Sequence, residues 1–405
     1  MRLLKWMLVY LRETLAVMRH EVRLLRHDAG VLLVVVFALL IYGTLYALAY
    51  GRQVLREMPI AVVDCSRTPS SRSLRTLLDA SPDVAEAYDC ADMAEAERLF
   101  YAREVYGVVY IPSDFERALM AGERPSVAVY CDAGYFLMYR ALFKGAAEVV
   151  GEFGAKVAVE RLLAAGIDAG EVRAVAQPVI YESYTLYNPY LGYATFIMPA
   201  IILIIIQQTA LIGIGMVGGT WHEEGLYRQP MVSNRKRLSA LAVVVGRTVV
   251  YAAIYALTVT YMLVVHYRVF GYPMNGRTAD CLAVVVPYVL ASVLMGITLS
   301  LLFTRRESSL VWLLWSSVPV LLLSGASLPK EAFPEWMYLA GQILPSSSAV
   351  AAYVRVQTAG APLSAVEVEV VRLWMLVLAY GVSAVVGTYA VIRRQAFTVG
   401  RDNDE

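Results

Sequence analysis

The sequence predicts a membrane α-helical protein: six transmembrane helices, with an α/β extracytoplasmic domain inserted between the first and second. Composition is the first observation behind this reading. Of 405 residues, 59% are hydrophobic and 17% charged, with a mean hydropathy of +0.56. Soluble domains run near 45–50% apolar and about 25% charged, so a soluble protein of this make-up would have nowhere to put its apolar surface. The second observation is six stretches free of Asp, Glu, Lys and Arg, at residues 31–50, 190–217, 248–267, 282–303, 309–328 and 373–392. About 20 residues rising ~1.5 Å each cover a hydrocarbon layer of roughly 30 Å, as a helix that satisfies its own backbone hydrogen bonds. The third is charge sorting. Arg2, Lys5, Arg12, Arg19, Arg23 and Arg26 precede the first stretch, Arg228, Arg235, Lys236 and Arg237 follow the second, Arg305 and Arg306 the fourth, and Arg393 and Arg394 the sixth. All four groups fall on one side, which the positive-inside rule makes cytoplasmic. A soluble enzyme, a nucleic-acid-binding protein and a disordered scaffold are thereby excluded.

In chain order, residues 1–28 carry Leu4, Leu8, Leu11, Leu15, Met18, Val22 and Leu25 at alternating steps of four and three. With arginines between them, they read as a cytoplasmic amphipathic helix, lying on membrane lipids of the inner leaflet or packed on a soluble partner. Residues 29–50 form the first span; the extended basic lead-in and the lack of a small-residue cleavage site argue against a signal peptide. Residues 51–189 alternate strand-like runs at 60–64, 84–88, 106–111 and 127–131 with helical connections at 70–78, 92–102 and 113–121, then a helical arm over 135–165. This is a small extracytoplasmic α/β domain. Cys65, Cys90 and Cys131 lie at its strand ends in an oxidising compartment, which leaves open one disulfide with a thiol left over, or three unpaired thiols. Residues 190–392 hold spans two to six, and within them Pro329 to Trp336 leads into an apolar stretch ending at Leu344-Pro345 that is too short to cross, so the segment at 329–345 dips into or lies along the outer interface. Residues 393–405 form a cytoplasmic tail.

His222-Glu223-Glu224-Gly225-Leu226 begins like the zinc-peptidase HExxH motif, but Leu226 stands where the second histidine is needed. No catalytic residue and no metal site is expected. Ser324-Gly325-Ala326-Ser327 reads as small residues that let helices approach. No GxxxxGK[ST] sequence occurs, so the chain has no P-loop ATP site of its own. The spans also lack the ionisable groups that an ion-coupled transporter keeps at the midplane, where each costs about 2.5–3.5 kcal/mol on insertion scales. Uphill work must therefore come from a separate subunit pushing on the cytoplasmic face. Residues 220–237 suit such a push: His222, Glu223, Glu224, Gly225, Arg228, Arg235 and Lys236 lie between two helices, with Gly218 and Gly219 releasing the second span just before them. The same charge also befits an ordinary cytoplasmic loop. Gln207, Gln208 and Thr209 in the second span, Ser316, Ser317 and Ser324 in the fifth, and Asn188 before the second line a pathway or bond helices together.

With this layout the chain resembles the type-2 ATP-binding-cassette exporter permeases, in the branch with a large external domain that includes bacterial multidrug export permeases. Tyr187-Asn188-Pro189 with Pro199, Glu223-x-Gly225 followed by Gly246-Arg247, and Phe333-Pro334-Glu335-Trp336 with Leu344-Pro345 carry the resemblance. In the external block Asp64-Cys65-Ser66, the run from Gly107 to Pro112, Phe115, Gly122 and Tyr130-Cys131-Asp132 are similar to that branch's strand ends and turns. The resemblance implies a half-transporter that pairs with a second permease as homodimer or heterodimer. Each half takes a cytoplasmic ATPase subunit, which holds the ATP and Mg, and the coupling helix at 220–237 seats in that ATPase. It further implies that the second and fifth spans face each other across the dimer. A periplasmic adaptor is compatible with it. Leu226, where the family favours Thr, and the early Pro230 depart from the pattern. A different class stays open: a membrane-anchored sensor or envelope assembly factor acting through its external domain.

Overall fold

The computed structural model describes residues 2–51, 54–168, 172, 185–188, 192–228, 239–328 and 330–401. The chain divides into two units, one of Met1–Gln53 with Thr185–Glu405 and one of Val54–Tyr184. The first unit opens with α1 (Arg2–His27) and α2 (Ala29–Ala49). Between them Asp28 caps α2, its carboxylate accepting the Val31 N–H at 3.0 Å. Along α1, Glu13, Thr14, Val17, Glu21 and Leu25 are buried, while Leu8, Leu11, Leu15 and Val22 are exposed beside Arg12, Arg19 and Arg23. Four residues of the expected apolar stripe thus face outward, and two glutamates point inward.

The second unit is built on a sheet of β1 (Met58–Asp64), β2 (Val84–Cys90), β3 (Gly107–Ile111) and β4 (Ala128–Cys131), in the order β2-β1-β3-β4 with only β4 antiparallel. Helices α3 (Pro69–Asp79), α4 (Met93–Tyr101) and α5 (Phe115–Met120) connect the strands, and α6 (Phe136–Ala164) follows them. Central β1 is almost continuously apolar because both of its faces are covered. Ile60 and Val62 pack with Leu74, Phe115 and Phe153, whereas Ala61 and Val63 pack with Ala96 and Val108. Thr68 and Ser71 cap α3 reciprocally and Asp92 caps α4. The four cysteines are free, so the strand-end sulfurs form no bridge.

The first unit resumes with α7 (Tyr193–Glu223), α8 (Ala240–Phe270), α9 (Thr278–Ser300), α10 (Arg306–Trp315), α11 (Ser317–Leu323), α12 (Glu335–Gly341), α13 (Pro345–Tyr353) and α14 (Glu367–Arg401). Helix α7 is its axis, packed by α2, α9, α10 and α13 and buried over most of its length. Among the described residues five helices are long and apolar enough to cross a membrane: α2, α7, α8, α9 and Leu363–Arg394.

Three expectations need correction. The stretch expected as the fifth span is not one rod. Pro319 offers no N–H to the Trp315 carbonyl and its ring crowds that carbonyl, so the helix breaks at Ser316 into α10 and α11. Gly218 and Gly219 do not release α7, which continues to Glu223. A Cβ on Gly218 would lie 2.4 Å from the Ser300 Cβ, and one on Gly219 would lie 2.6 Å from the Arg306 backbone. Both glycines serve close approach instead. Helix α8 starts at Ala240, about two turns before residue 248, and so takes Arg247 inside. Helix α14 continues beyond residue 392 to Arg401. Within 330–345 the chain forms a 3-10 turn at Lys330–Ala332 and short α12 before entering α13, whose Ser346, Ser347 and Ser348 are buried.

Candidate functional site

Among its described residues the first unit collects its buried charge at the end of the bundle where α7 and α9 finish and α8 and α10 begin. Glu21 of α1 and Arg247 of α8 are both fully buried, with side-chain exposure of 0%. A carboxylate removed from water needs its oxygens filled. Arg247 Nε donates to Glu21 Oε1 at 2.9 Å, and Trp221 Nε1 donates to Oε2 at 2.9 Å. The remaining guanidinium nitrogens reach Ser300 Oγ at 3.5 Å and the Ile214 carbonyl at 3.4 Å, and the group lies 5.4 Å from the Trp221 ring centre. One ion pair thereby joins α1, α7, α8 and α9. Gly246 gives α1 the room: a Cβ there would meet Val17 Cγ1 at 2.9 Å.

Two helix starts at this end are closed by glutamates from elsewhere in the chain. Glu13 accepts the Ser239 N–H at 2.8 Å, at the head of α8, and Glu223 accepts the Arg306 N–H at 3.0 Å, at the head of α10. A carboxylate is favoured there because the unpaired N–H groups of a helix start carry partial positive charge. Arg306 also makes a two-pronged ion pair with Asp28, one arm at 2.8 Å. Burial alone would raise the Asp28 carboxyl, but the hydrogen bonds from Arg306 and from the Val31 and Gly30 backbone outweigh it and hold the group below the usual carboxylate range.

Beyond α7 the chain turns at Gly225, whose φ of +63° suits a residue without a Cβ, into one 3-10 turn at Leu226–Arg228 that packs on α14. Leu226 and Tyr227 are buried, and the His222 ring lies 5.0 Å from that of Tyr227. Glu224 is exposed on a polar cleft of about 440 Å³ shared with Arg23, His27, Asp28 and Arg306. His222, Glu223, Glu224 and Gly225 are thus brought together. The Arg228 backbone closes the turn, while Arg235 and Lys236 lie outside the described residues.

The polar residues singled out along the spans separate into different environments. Gln207 is buried and its Oε1 accepts the Ser346 N–H at 2.8 Å, tying α7 to the head of α13. Gln208, also buried, has neither amide atom paired. Thr209 receives the Tyr255 hydroxyl at 3.1 Å and donates to the Ile206 carbonyl. Asn188 exchanges two 2.9 Å hydrogen bonds with the Gly192 backbone just before α7. Ser316 and Ser324 bond to carbonyls three residues back in their own chain, at Leu313 and Leu321, and Ser317 is half-buried at the head of α11.

A family profile described as "ABC-2 family transporter protein" matches residues 29–390, nearly the whole bundle and the inserted unit. The chain belongs to the ABC-2 transporter family. It is 26% identical over 151 residues to the "Probable multidrug ABC transporter permease YbhR" of Escherichia coli K12 and, equally, to that of Escherichia coli O157:H7. The match covers 37% of this chain and 40% of each relative. No solved structure matches at a significant level. This ABC-2 transporter chain is therefore a multi-pass membrane protein by its family and by its five long apolar helices.

Within this ABC-2 chain the sequence reading missed Glu21, Asp28 and Arg306 as partners and placed Arg247 at the margin of a span. A signal for Glu21 was present: Glu13 and Glu21 are the two acidic residues in an otherwise basic first helix. Their unlike charge on an inward face marks residues with partners waiting for them.

Proposed function

We propose that this chain is the transmembrane permease subunit of an ATP-driven exporter of the bacterial inner membrane, moving hydrophobic or amphipathic molecules outward. The subunit has no catalytic role of its own; a separate cytoplasmic ATPase binds ATP and Mg and supplies the work. Two permease copies pair, identical or not, each taking one ATPase. Six spans cross in this reading, the fifth as the broken pair α10 and α11. Both termini and the end rich in buried charge face the cytoplasm, and the Val54–Tyr184 unit stands outside, where a periplasmic adaptor can meet it.

The observation that carries the reading is the fastening of the turn after α7. Glu224 and Gly225 project from a helix end bound through Glu21, Arg247, Glu223 and Arg306 to α1, α8, α9 and α10. A partner that grips the turn moves these helices together, which a loosely hung loop would not allow. Drug-like cargo is supported by the name of the E. coli relatives and by the apolar make-up of the spans. Arg247 does not revive ion coupling. The 31 residues of α8 span roughly 46 Å against a hydrocarbon layer of about 30 Å, which puts Arg247, about 10 Å from the helix start, at the layer's edge. It is also neutralised in place by Glu21.

The test is reconstitution of the full chain with its ATPase in vesicles, following an amphipathic dye. Glu224→Lys is expected to abolish ATPase association and dye export while leaving the fold intact. Export by the chain alone on a proton or sodium gradient, with no nucleotide hydrolysed, would overturn the reading.

A further inference from the structure

Between α8, α9 and α14 the bundle leaves an outward-facing groove of about 550 Å³. Leu241 and Val249 of α8 form one wall, Leu378 and Val382 of α14 the other, and Leu294 of α9 lies in the floor. At Gly381 the wall is open: an added Cβ would meet only Leu294 Cδ1, at 3.8 Å. The polar side chain among the lining residues is Thr248, whose hydroxyl is buried and unpaired. Helices α8 and α14 run in opposite directions, so Leu241 to Val249 and Val386 to Leu378 describe the same stretch, about 12 Å along the bundle. A peptide segment laid there would bring backbone N–H and C=O groups with nothing to pair them. Hydrocarbon brings none.

The groove also has a charged end. On α14, steps of three and four carry the face of Val382 and Val386 through Tyr389 to Arg393, all four exposed, the last about 10 Å beyond the groove. Arg393 lies past Val386, toward the end of the bundle where α8 begins. An apolar channel leading to an exposed guanidinium matches one ligand chemistry, a fatty chain carrying an anionic head.

We infer that this groove holds an acyl chain of an anionic phospholipid from the leaflet at the Arg393 end, with the lipid phosphate paired to Arg393. The inference rests on the bundle crossing a bilayer and is independent of any ATPase. It is tested on the purified full-length chain by native mass spectrometry, titrating phosphatidylglycerol against phosphatidylcholine of the same acyl chains. The unsubstituted chain should retain phosphatidylglycerol more tightly. Arg393→Gln should weaken phosphatidylglycerol about fivefold, to the level of phosphatidylcholine. Gly381→Phe and, separately, Val382→Trp should reduce retention of both lipids by filling the groove. Equal retention of the two lipids by the unsubstituted chain would reduce the groove to ordinary annular contact and overturn the inference. Survival of the preference in Arg393→Gln, or loss of a dimer instead of lipid in the filled variants, would also overturn it. Because no nucleotide or ATPase enters the measurement, its failure leaves the permease reading untouched.

Discussion

The Glu21–Arg247 pair lends itself to a quantitative test. Arg247→Met removes the cation and leaves a fully buried carboxylate with the Trp221 N–H. Breaking a buried pair from one side costs about 3–5 kcal/mol, mostly because the remaining charge has no counterpart. Glu21→Gln should cost a similar amount, since it leaves the fully buried guanidinium without its counter-charge. If the two sites were independent, the double variant would lose the sum, about 6–10 kcal/mol. With both charges gone, the glutamine carbonyl still accepts from Trp221 and the methionine fills the arginine stem's space. The double variant should therefore be less damaged than either single one, giving a coupling energy of at least about 3 kcal/mol. Equilibrium unfolding of the full chain in mixed micelles, followed by tryptophan fluorescence, measures all four corners of the cycle. Additivity within about 0.5 kcal/mol, or a loss under about 1 kcal/mol for Arg247→Met alone, would refute the assignment of this pair as the fastening of α1 to α8.

The adjacent glutamines should behave oppositely. Gln207→Leu strands the buried Ser346 N–H and is expected to cost about 1–3 kcal/mol, whereas Gln208→Leu removes an unpaired buried amide and should be neutral or stabilising in the same unfolding assay. Asp28 sets an acid limit. Its carboxyl titrates below the usual range when folded, so its contribution is present above the unfolded value near pH 4 and fades as pH falls through the lower folded value; Asp28→Asn should flatten that part of the stability–pH curve. In the second unit Cys65 is exposed, while burial holds the Cys90 and Cys131 thiols above their ordinary value. A membrane-impermeant maleimide added to intact cells whose outer membrane has been opened should label Cys65 first, and labelling that needs lysis would reverse the proposed topology.

Much of the fold was legible because its causes are local. The strands at 58–64 and 107–111 announce themselves as short apolar runs, and Thr68 and Asp92 mark helix starts through their own side chains. The long helices follow from hydropathy alone. What escaped depended on distance. Arg247 looked like a flank because its partner, Glu21, is 226 positions away, and only that partner makes burial tolerable. Gly218 and Gly219 looked like a release because glycine's freedom is written in the sequence, while the backbone pressed against Gly219 is not. The break at Ser316 was written in Pro319, yet averaged hydropathy is blind to a missing N–H. Within the candidate site, the grouping of His222 to Gly225 followed from adjacency. The separate fates of Gln207 and Gln208, one paired and one not, followed from neighbours on α13 that no local pattern names.

The interruption after Trp315 divides that helix into arms with unequal freedom. The first arm is bolted through Arg306 to Asp28 and Glu223, whereas the second starts afresh at Ser317 and carries Pro319 in its first turn. An intact rod hands a tilt on undiminished, but one lacking a rung bends there more cheaply than elsewhere. A swing imposed on the bolted arm can therefore be spent at Ser316, leaving the far rim at rest.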